Sequence, residues 1–326
     1  MSGEFDLIAR IRERAGGPHA VAGPDGVVLG IGDDAAVLSL PPDRQLVVAM
    51  DTLNTGVHFP HDTAPADIGW KALAVNLSDL AAMGATPAWC TLSLSLPAGD
   101  RVWIDAFLDG FLGLAEAHRT RLVGGDTTRG PLSVCVTVHG LVAPGAALRR
   151  DGAQAGDDIW ISGTPGDAAG ALAQWKAGAG GDAALRARLD RPTPRTALGI
   201  ALIGVAHAAI DVSDGLLADL QHLAGASGLA ARIDLGALPV SPALRAAFGD
   251  DVRYALQATG GDDYELCFAA PSAARAAVID AGRVSATPVT RIGQLLTGSG
   301  VSAWRGDVPW TPPSRGWDHF GRGEAD

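Results

Sequence analysis

Nine aspartates of this chain stand at or near the ends of apolar runs. Asp33 and Asp34 follow VVLGIG, Asp51 follows LVVAM, Asp79 lies in the stretch Lys71–Met83, and Asp126 follows RLVGG. Asp211 and Asp214 bracket IDVSD, and Asp262 and Asp263 follow ATGG. Any one of them alone reads as a turn or N-cap aspartate. As a set they do not read as solvated acids among lysines, because the chain has only two lysines, Lys71 and Lys176. Several adjoin glycines, which let backbone or ligand approach closely. Carboxylates gathered at one place repel one another unless a cation compensates. Hard oxygen donors select Mg²⁺ or Ca²⁺, and Mg²⁺ is commonly held by a few carboxylates together with water and substrate phosphates. The pattern thus points to Mg²⁺-phosphate chemistry and leaves kinase, synthetase and phosphatase open.

Other chemistries find less support. Neither lysine follows a Gly-x-x-x-x-Gly run, which excludes a Walker-type phosphate loop. Gly30–Ala35 formally matches the dinucleotide fingerprint, but two aspartates in its turn would face a pyrophosphate and no helix-sheet-acid pattern follows at the expected spacing. His58 and His61 flank Pro60 with no cysteines to complete a zinc site, and no G-x-S-x-G elbow exists. With lysine so scarce, the phosphate end falls to metals or to arginines. Arg129 lies beyond GGDTT, and Arg149 and Arg150 form a tandem pair whose guanidinium forks suit phosphate.

The elements that must position these residues alternate irregularly. A helix is expected over Glu4–Arg14, with Phe5, Ile8 and Ile11 on one stripe, and another over Pro65–Met83. Strands are expected at VVLGIG, QLVVAMD, Trp89–Leu96, LVGGD and SVCVTVHGLV, with a helix over Val102–His118. A turn-rich stretch, Pro144–Asp158, marks a boundary between an N-terminal domain, residues 1–145, and a C-terminal domain, residues 146–326. The second half carries strand DDIWISG, a Gly-rich turn into helix GTPGDAAGALAQW, the linker RPTPR, a helix over Ile200–Ala208 and strand AAIDVS. Helix DGLLADLQHLAGASG and strand LAARIDL follow, then a last helix-strand pair and a Trp/Pro-rich tail. Without regular βαβ alternation the fold class is α+β, with mixed sheets.

The 326 residues suffice for two cores; 47% are hydrophobic and 19% charged, which argues against disorder. The net charge of −11 and a pI near 5.1 offer no basic stripe for nucleic acid. The first residues carry charges where a signal peptide would be apolar, and the longest uncharged apolar stretch, Ala197–Ile210, is too short to span a membrane. Cys90, Cys135 and Cys267 read as buried free thiols of a reducing cytoplasm.

GEFDLIARI, GIGDDAAV, MDTLNTGVHF, KALAVNLSDLAAMGATP, GGDTTRGPL, LRRDGAQAGD, RPTPR, IDVSDGL, GGDDYELCF and the terminal WDHF occur in this order. Together they resemble the thiamine-monophosphate kinase family of the aminoimidazole-ribonucleotide-synthetase-like superfamily, from Gly3 to Phe320. The resemblance implies a two-domain protein, typically a homodimer paired through its N-terminal sheets, with ATP and several Mg²⁺ ions in a cleft that the C-terminal domain completes. The implied reaction is ATP + thiamine phosphate → ADP + thiamine diphosphate. It further implies Asp34, Asp51, Asp79, Asp126, Asp211 and Asp214 as metal ligands, with Asp126, Asp211 and Asp214 central to catalysis. Gly125, Asp126, Arg150 and Ser213 correspond to positions that hold ATP, and His58, Asp262 and Trp317 to positions at the thiamine phosphate.

Two places depart from the family pattern. Ala49 and Met50 stand where relatives commonly carry hydroxyl residues, so metal contacts there fall to backbone carbonyls or water. Asp262 stands where relatives commonly carry glutamate. The nearest alternatives are another ATP-dependent synthetase of the superfamily and a nucleotide-binding module without turnover. A selenophosphate synthetase would carry a reactive cysteine in a glycine-rich N-terminal segment, whereas the first cysteine here is Cys90, inside an apolar run.

Overall fold

The computed structural model describes residues 4–16, 26–178, 181–313 and 316–317. The chain divides into two compact units, residues 1–80 with 85–147 and residues 81–84 with 148–326.

Through the first unit run α1 (Glu4–Arg14), β1 (Val27–Leu29), β2 (Val37–Leu38), β3 (Gln45–Asn54), α2 (Pro65–Ala82), β4 (Thr86–Leu96), α3 (Arg101–Ala117), β5 (Arg121–Arg129) and β6 (Ser133–Val142). β1 and β2 form a small ladder, and the main sheet has the order β3-β6-β4-β5. Its β4 and β5 are parallel and joined through α3, whereas β6 runs antiparallel to both β3 and β4. Alternation along β6 is strict: Val134, Val136, Val138 and Val142 are buried, and Ser133, Cys135, Thr137, His139 and Leu141 are only half so. Cys135 therefore lies on the open face and is not buried, unlike Cys90 and Cys267. Helix α2 is buried along nearly its whole length. A Cβ at Gly69 would collide with the Phe107 carbonyl and one at Gly110 with the Ala66 carbonyl, so α2 and α3 cross backbone against backbone. α3 begins on an Asp100 cap that accepts the Val102 and Trp103 N–H groups.

On the open face, edge strand β3 exposes Leu46, Val48 and Met50; Val48 is 55% and Met50 62% exposed. Among the described residues no strand pairs with the outer edge of β3, and a ten-residue edge strand that exposes apolar side chains is a liability in a monomer.

The second unit follows with β7 (Asp158–Ser162), α4 (Asp167–Lys176), α5 (Ala183–Asp190), α6 (Thr196–Ala201), β8 (Ala208–Val212), α7 (Leu216–Ala226), β9 (Leu229–Asp234), α8 (Pro242–Ala247), α9 (Asp250–Thr259), β10 (Glu265–Ala270), α10 (Arg275–Val284), β11 (Val289–Thr297), β12 (Gly300–Arg305) and β13 (Val308–Trp310). Its seven-stranded sheet has the order β13-β12-β9-β11-β7-β10-β8, antiparallel except for the β9–β12 pair. β7, β8 and β10 are buried at every residue. Leu216, Leu220 and Leu223 of α7 and Ala258 of α9 join one core cluster, and Leu198 of α6 and Val278 and Ala281 of α10 join another. The helix expected over Ile200–Ala208 instead starts at Thr196, directly after the RPTPR prolines, and ends at Ala201; the chain then turns through Gly204 at φ +75°.

Candidate active site

In the second unit, β8 carries Asp211 into the core, where it is buried, and releases the chain into the turn Ser213–Gly215. Asp219, in the first turn of α7, folds back on this turn. Its Oδ2 accepts the N–H groups of Ser213 (3.0 Å), Asp214 (3.1 Å) and Gly215 (3.1 Å). The turn's carbonyls are used as well: the Ser213 carbonyl accepts the Asp262 N–H and the Asp214 carbonyl accepts the Trp317 N–H, both at 2.9 Å. Asp211, Ser213, Asp214, Asp262 and Trp317, five residues singled out in the sequence, are therefore gathered at one turn. Trp317 is 52% exposed and so is not a tail residue packed into the core. Of WDHF, only Trp317 is among the described residues.

The electrostatics of this turn are unbalanced. Burial above all, and then the charges of Asp211 and Asp214, push the Asp219 carboxyl up to about 7 from 3.8. A hard divalent cation beside Asp211 and Asp214 would relieve that repulsion, so the donor chemistry fits Mg²⁺. Among the described residues no three of His, Cys, Asp and Glu form a group that could hold a metal ion. Mg²⁺ accepts such sparse sites because it keeps several waters and completes its shell with substrate phosphate.

In the first unit, Asp51 sits near the end of β3 and is docked on α2. Its N–H donates to Oδ1 of the buried Asn76 at 2.9 Å, and Asn76 Nδ2 donates to the Ala72 carbonyl at 2.9 Å. Asp79 follows Asn76 by three residues, on the same helix face, so Asp51 and Asp79 belong to one locality. Asp126 does not join them. It lies on β5, the opposite edge of the sheet, in the row of Ser93 and Cys135, whereas Asp51 lies in the row of Val136, Leu92 and Gly125. Three inter-strand steps put their backbones roughly 14 Å apart. Gly125, at φ +152°, has its α-carbon against the Leu92 carbonyl, where any Cβ would collide. Its glycine is thus needed to seat β5 on β4 beside Asp126, whatever else it contacts.

The Asp33–Asp34 turn is exposed and closed by the Asp34 N–H donating to Asp33 Oδ1 at 2.9 Å, with Arg12 of α1 packed against Gly32. His58 is held from two sides. Its Nδ1 accepts the Asn54 N–H at 3.0 Å, and its carbonyl accepts Nζ of the wholly buried Lys71 at 2.8 Å. With Nδ1 an acceptor, the neutral ring carries its proton on Nε2. In the second unit, Arg149 is engaged by Asp151 through two bonds, at 2.8 and 2.6 Å. Arg150 is exposed, and its carbonyl accepts Ser227 Oγ at 2.8 Å. The Arg149 carbonyl accepts the Ala209 N–H, which ties this arginine pair to the start of β8.

Asp263 is a structural residue. It is buried, and both its carboxylate oxygens lie 2.9 Å from the Gly166 N–H at the start of α4. Sequence reasoning missed Asp219, Asn76 and Lys71. Each had a faint signal: an acid in a helix's first turn, an amide inside an apolar helix, and, in that apolar helix, one of the chain's only two lysines.

Residues 32–142 match the family of AIR synthase related proteins, N-terminal domain, and residues 154–305 the corresponding C-terminal domain. The chain is 46% identical to the thiamine-monophosphate kinases of Salmonella typhimurium and Escherichia coli, across 98% of this chain and 98% of theirs. The chain belongs to the thiamine-monophosphate kinase family. Its fold is similar to that of a family member from Stenotrophomonas maltophilia K279a, with 55% identity, TM-score 0.85, and coverage of 92% of this chain and 96% of that one. It is also similar to AaThiL complexed with AMPPCP and TMP, a structure 29% identical, with TM-score 0.76 and coverage of 98% and 97%. A likeness to the hydrogenase maturation protein HypE in complex with ATP, at 21% identity and TM-score 0.76, concerns the fold alone.

Proposed function

We propose that this chain transfers the γ-phosphoryl group of ATP to the phosphate of thiamine phosphate, giving ADP and thiamine diphosphate. The observation that carries this reading is the gathering of Asp211, Ser213, Asp214, Asp262 and Trp317 at one turn, in a chain related over nearly its whole length to kinases of that name. The organic end of thiamine phosphate is a planar cation, the thiazolium. An exposed indole and a carboxylate suit such a ring, by cation–π attraction and by charge. His58, with its proton on Nε2, supplies a donor for the acceptor phosphate. Arg150, Ser213, Gly125 and Asp126 serve the nucleotide.

Mg²⁺ would be held by Asp34, Asp51, Asp79 and Asp126 of the first unit and Asp211 and Asp214 of the second, and it would supply neutralisation and orientation of phosphate oxygens. The separation of Asp126 from Asp51 and Asp79 favours several ions over one. Residues 1–145 carry the dimer contacts and most of the nucleotide and metal contacts together with His58, and residues 146–326 complete the site with Arg150, Asp211, Ser213, Asp214, Asp262 and Trp317. The nucleophile is a terminal phosphate oxygen whose second pKa of about 6 leaves it ionised near neutrality. No side chain needs to remove a proton. A new P–O bond to that oxygen forms as the bond from Pγ to the bridging oxygen of ADP breaks, in line and without a phosphoenzyme. Positioning and electrostatics are then the whole of catalysis.

Two copies pair through the open face and bare edge of the β3-β6-β4-β5 sheet, which covers Leu46, Val48 and Met50. Among the described residues no helix is long and apolar enough to cross a membrane, and a cytoplasmic location accords with the free thiols. Mass spectrometry after incubation with ATP, Mg²⁺ and thiamine phosphate tests the reading. Thiamine diphosphate is expected, and its absence while ATP is consumed would favour another reaction of the superfamily.

A further inference from the structure

The turn that carries Asp262 is strained twice over. Asp262 has φ +69° and Tyr264 φ +50°, and neither is glycine. Non-glycine residues persist in the left-handed region where their surroundings over-determine them, commonly at functional sites. Here the surroundings are explicit. The Asp262 N–H bonds the Ser213 carbonyl at 2.9 Å and the Tyr264 N–H bonds the Val212 carbonyl at 2.8 Å, so the turn is stitched to the end of β8. The buried Tyr264 donates its hydroxyl to Asp262 Oδ1 at 3.1 Å.

Beneath the turn lies a buried ionic clamp. Glu265 is wholly buried, and Arg195 grips it with Nε on Oε2 (2.7 Å) and Nη2 on Oε1 (2.5 Å). Arg188 of α5 adds Nη2 on Oε1 at 2.7 Å and reaches the Asp263 carbonyl at 3.5 Å. Ser162, at the end of β7, donates Oγ to Oε2 at 2.5 Å and accepts the Leu266 N–H at 2.8 Å. The RPTPR segment thus ends in the arginine that anchors β10 directly after the strained turn.

We propose that Tyr264, Glu265, Arg188 and Arg195 are positioning residues for Asp262. The clamp holds Asp262 and Tyr264 in their left-handed conformations, and the Tyr264 hydroxyl fixes the carboxylate that meets the cationic ring of thiamine phosphate. This rests on the placement of Asp262 at that substrate under the proposed function.

The test is a cycle of Tyr264→Phe, Asp262→Ala and the double variant, with KM for each substrate, kcat and Tm measured on the full chain. Tyr264→Phe removes one oxygen and keeps the ring. It is expected to raise KM for thiamine phosphate three- to tenfold while kcat and KM for ATP stay within twofold. Asp262→Ala is expected to raise the same KM at least as far, and the double variant to match Asp262→Ala. Glu265→Gln is expected to raise this KM as well and to lower Tm. If Tyr264→Phe leaves that KM unchanged while Asp262→Ala raises it, or if it adds a further increase in the Asp262→Ala background, the positioning role is wrong and the assignment of Asp262 stands. If Asp262→Ala has no effect on KM for thiamine phosphate, the assignment itself is wrong and the proposal falls with it.

Discussion

Replacing Asp219 with asparagine should flatten the pH dependence of stability in the absence of divalent ions. The carboxyl accepts three backbone N–H groups, but its burial above all, and then the charges of Asp211 and Asp214, push it up from 3.8 to about 7. Between those values the folded chain holds a proton that the unfolded chain has released. The group's contribution is therefore complete below pH 3.8, declines as pH rises, and is gone above about 7. Each pH unit in this window corresponds to about 1.4 kcal/mol, so the full decline approaches about 4 kcal/mol and the part between pH 5 and pH 8 roughly 3 kcal/mol. Asparagine keeps a carbonyl for the turn's N–H groups and carries no charge. Urea unfolding of both proteins at pH 5 and pH 8, with EDTA, isolates the difference, since every other titrating group is common to the two. The wild type should lose roughly 3 kcal/mol more than the variant over this interval. Saturating Mg²⁺ should narrow the gap by offsetting Asp211 and Asp214. Parallel losses in the two proteins would refute the reasoning.

Asp126→Asn should lower kcat by about two orders of magnitude with little change in Tm, because it removes charge at an exposed strand position without changing shape; near-normal turnover at saturating Mg²⁺ would take Asp126 out of the metal set. Trp317→Ala should raise KM for thiamine phosphate roughly three- to tenfold, the worth of one aromatic contact, and KM for ATP by less than twofold; equal effects on both would argue against contact with the thiazolium. Met50→Asp places a charge in the middle of the bare β3 face and should shift the protein from dimer to monomer in light scattering, and an unchanged mass would place the subunit contact elsewhere.

Much of the scaffold was legible because its patterns are strong. The N-terminal helix and the alternating strand Ser133–Val142 fall where the sequence puts them, and α2 ends one residue before its expected limit. Helices α5, α8 and α9 were not foreseen. Their short segments carry weak or mixed periodicity, and they are fixed by packing of residues such as Leu185, Leu189 and Leu244 against α4. Cys135 was misjudged because alternation gives two faces without saying which one another element covers. At the site, acids beside glycines were visible as a set. Asp219 and Tyr264 were not, because their role is a hydrogen bond to a turn or to a neighbouring side chain, and no residue type announces its partner. Asp263 shows the converse: an acid in the right motif whose carboxylate is buried on the Gly166 amide.

The most direct measurement is the stereochemical course of transfer from ATP made chiral at its γ-phosphorus with oxygen isotopes and sulfur. A single displacement between two phosphates gives inversion at phosphorus in the thiamine diphosphate product, and that outcome is expected here. Retention, which requires a phosphorylated side chain between two displacements, would contradict direct transfer.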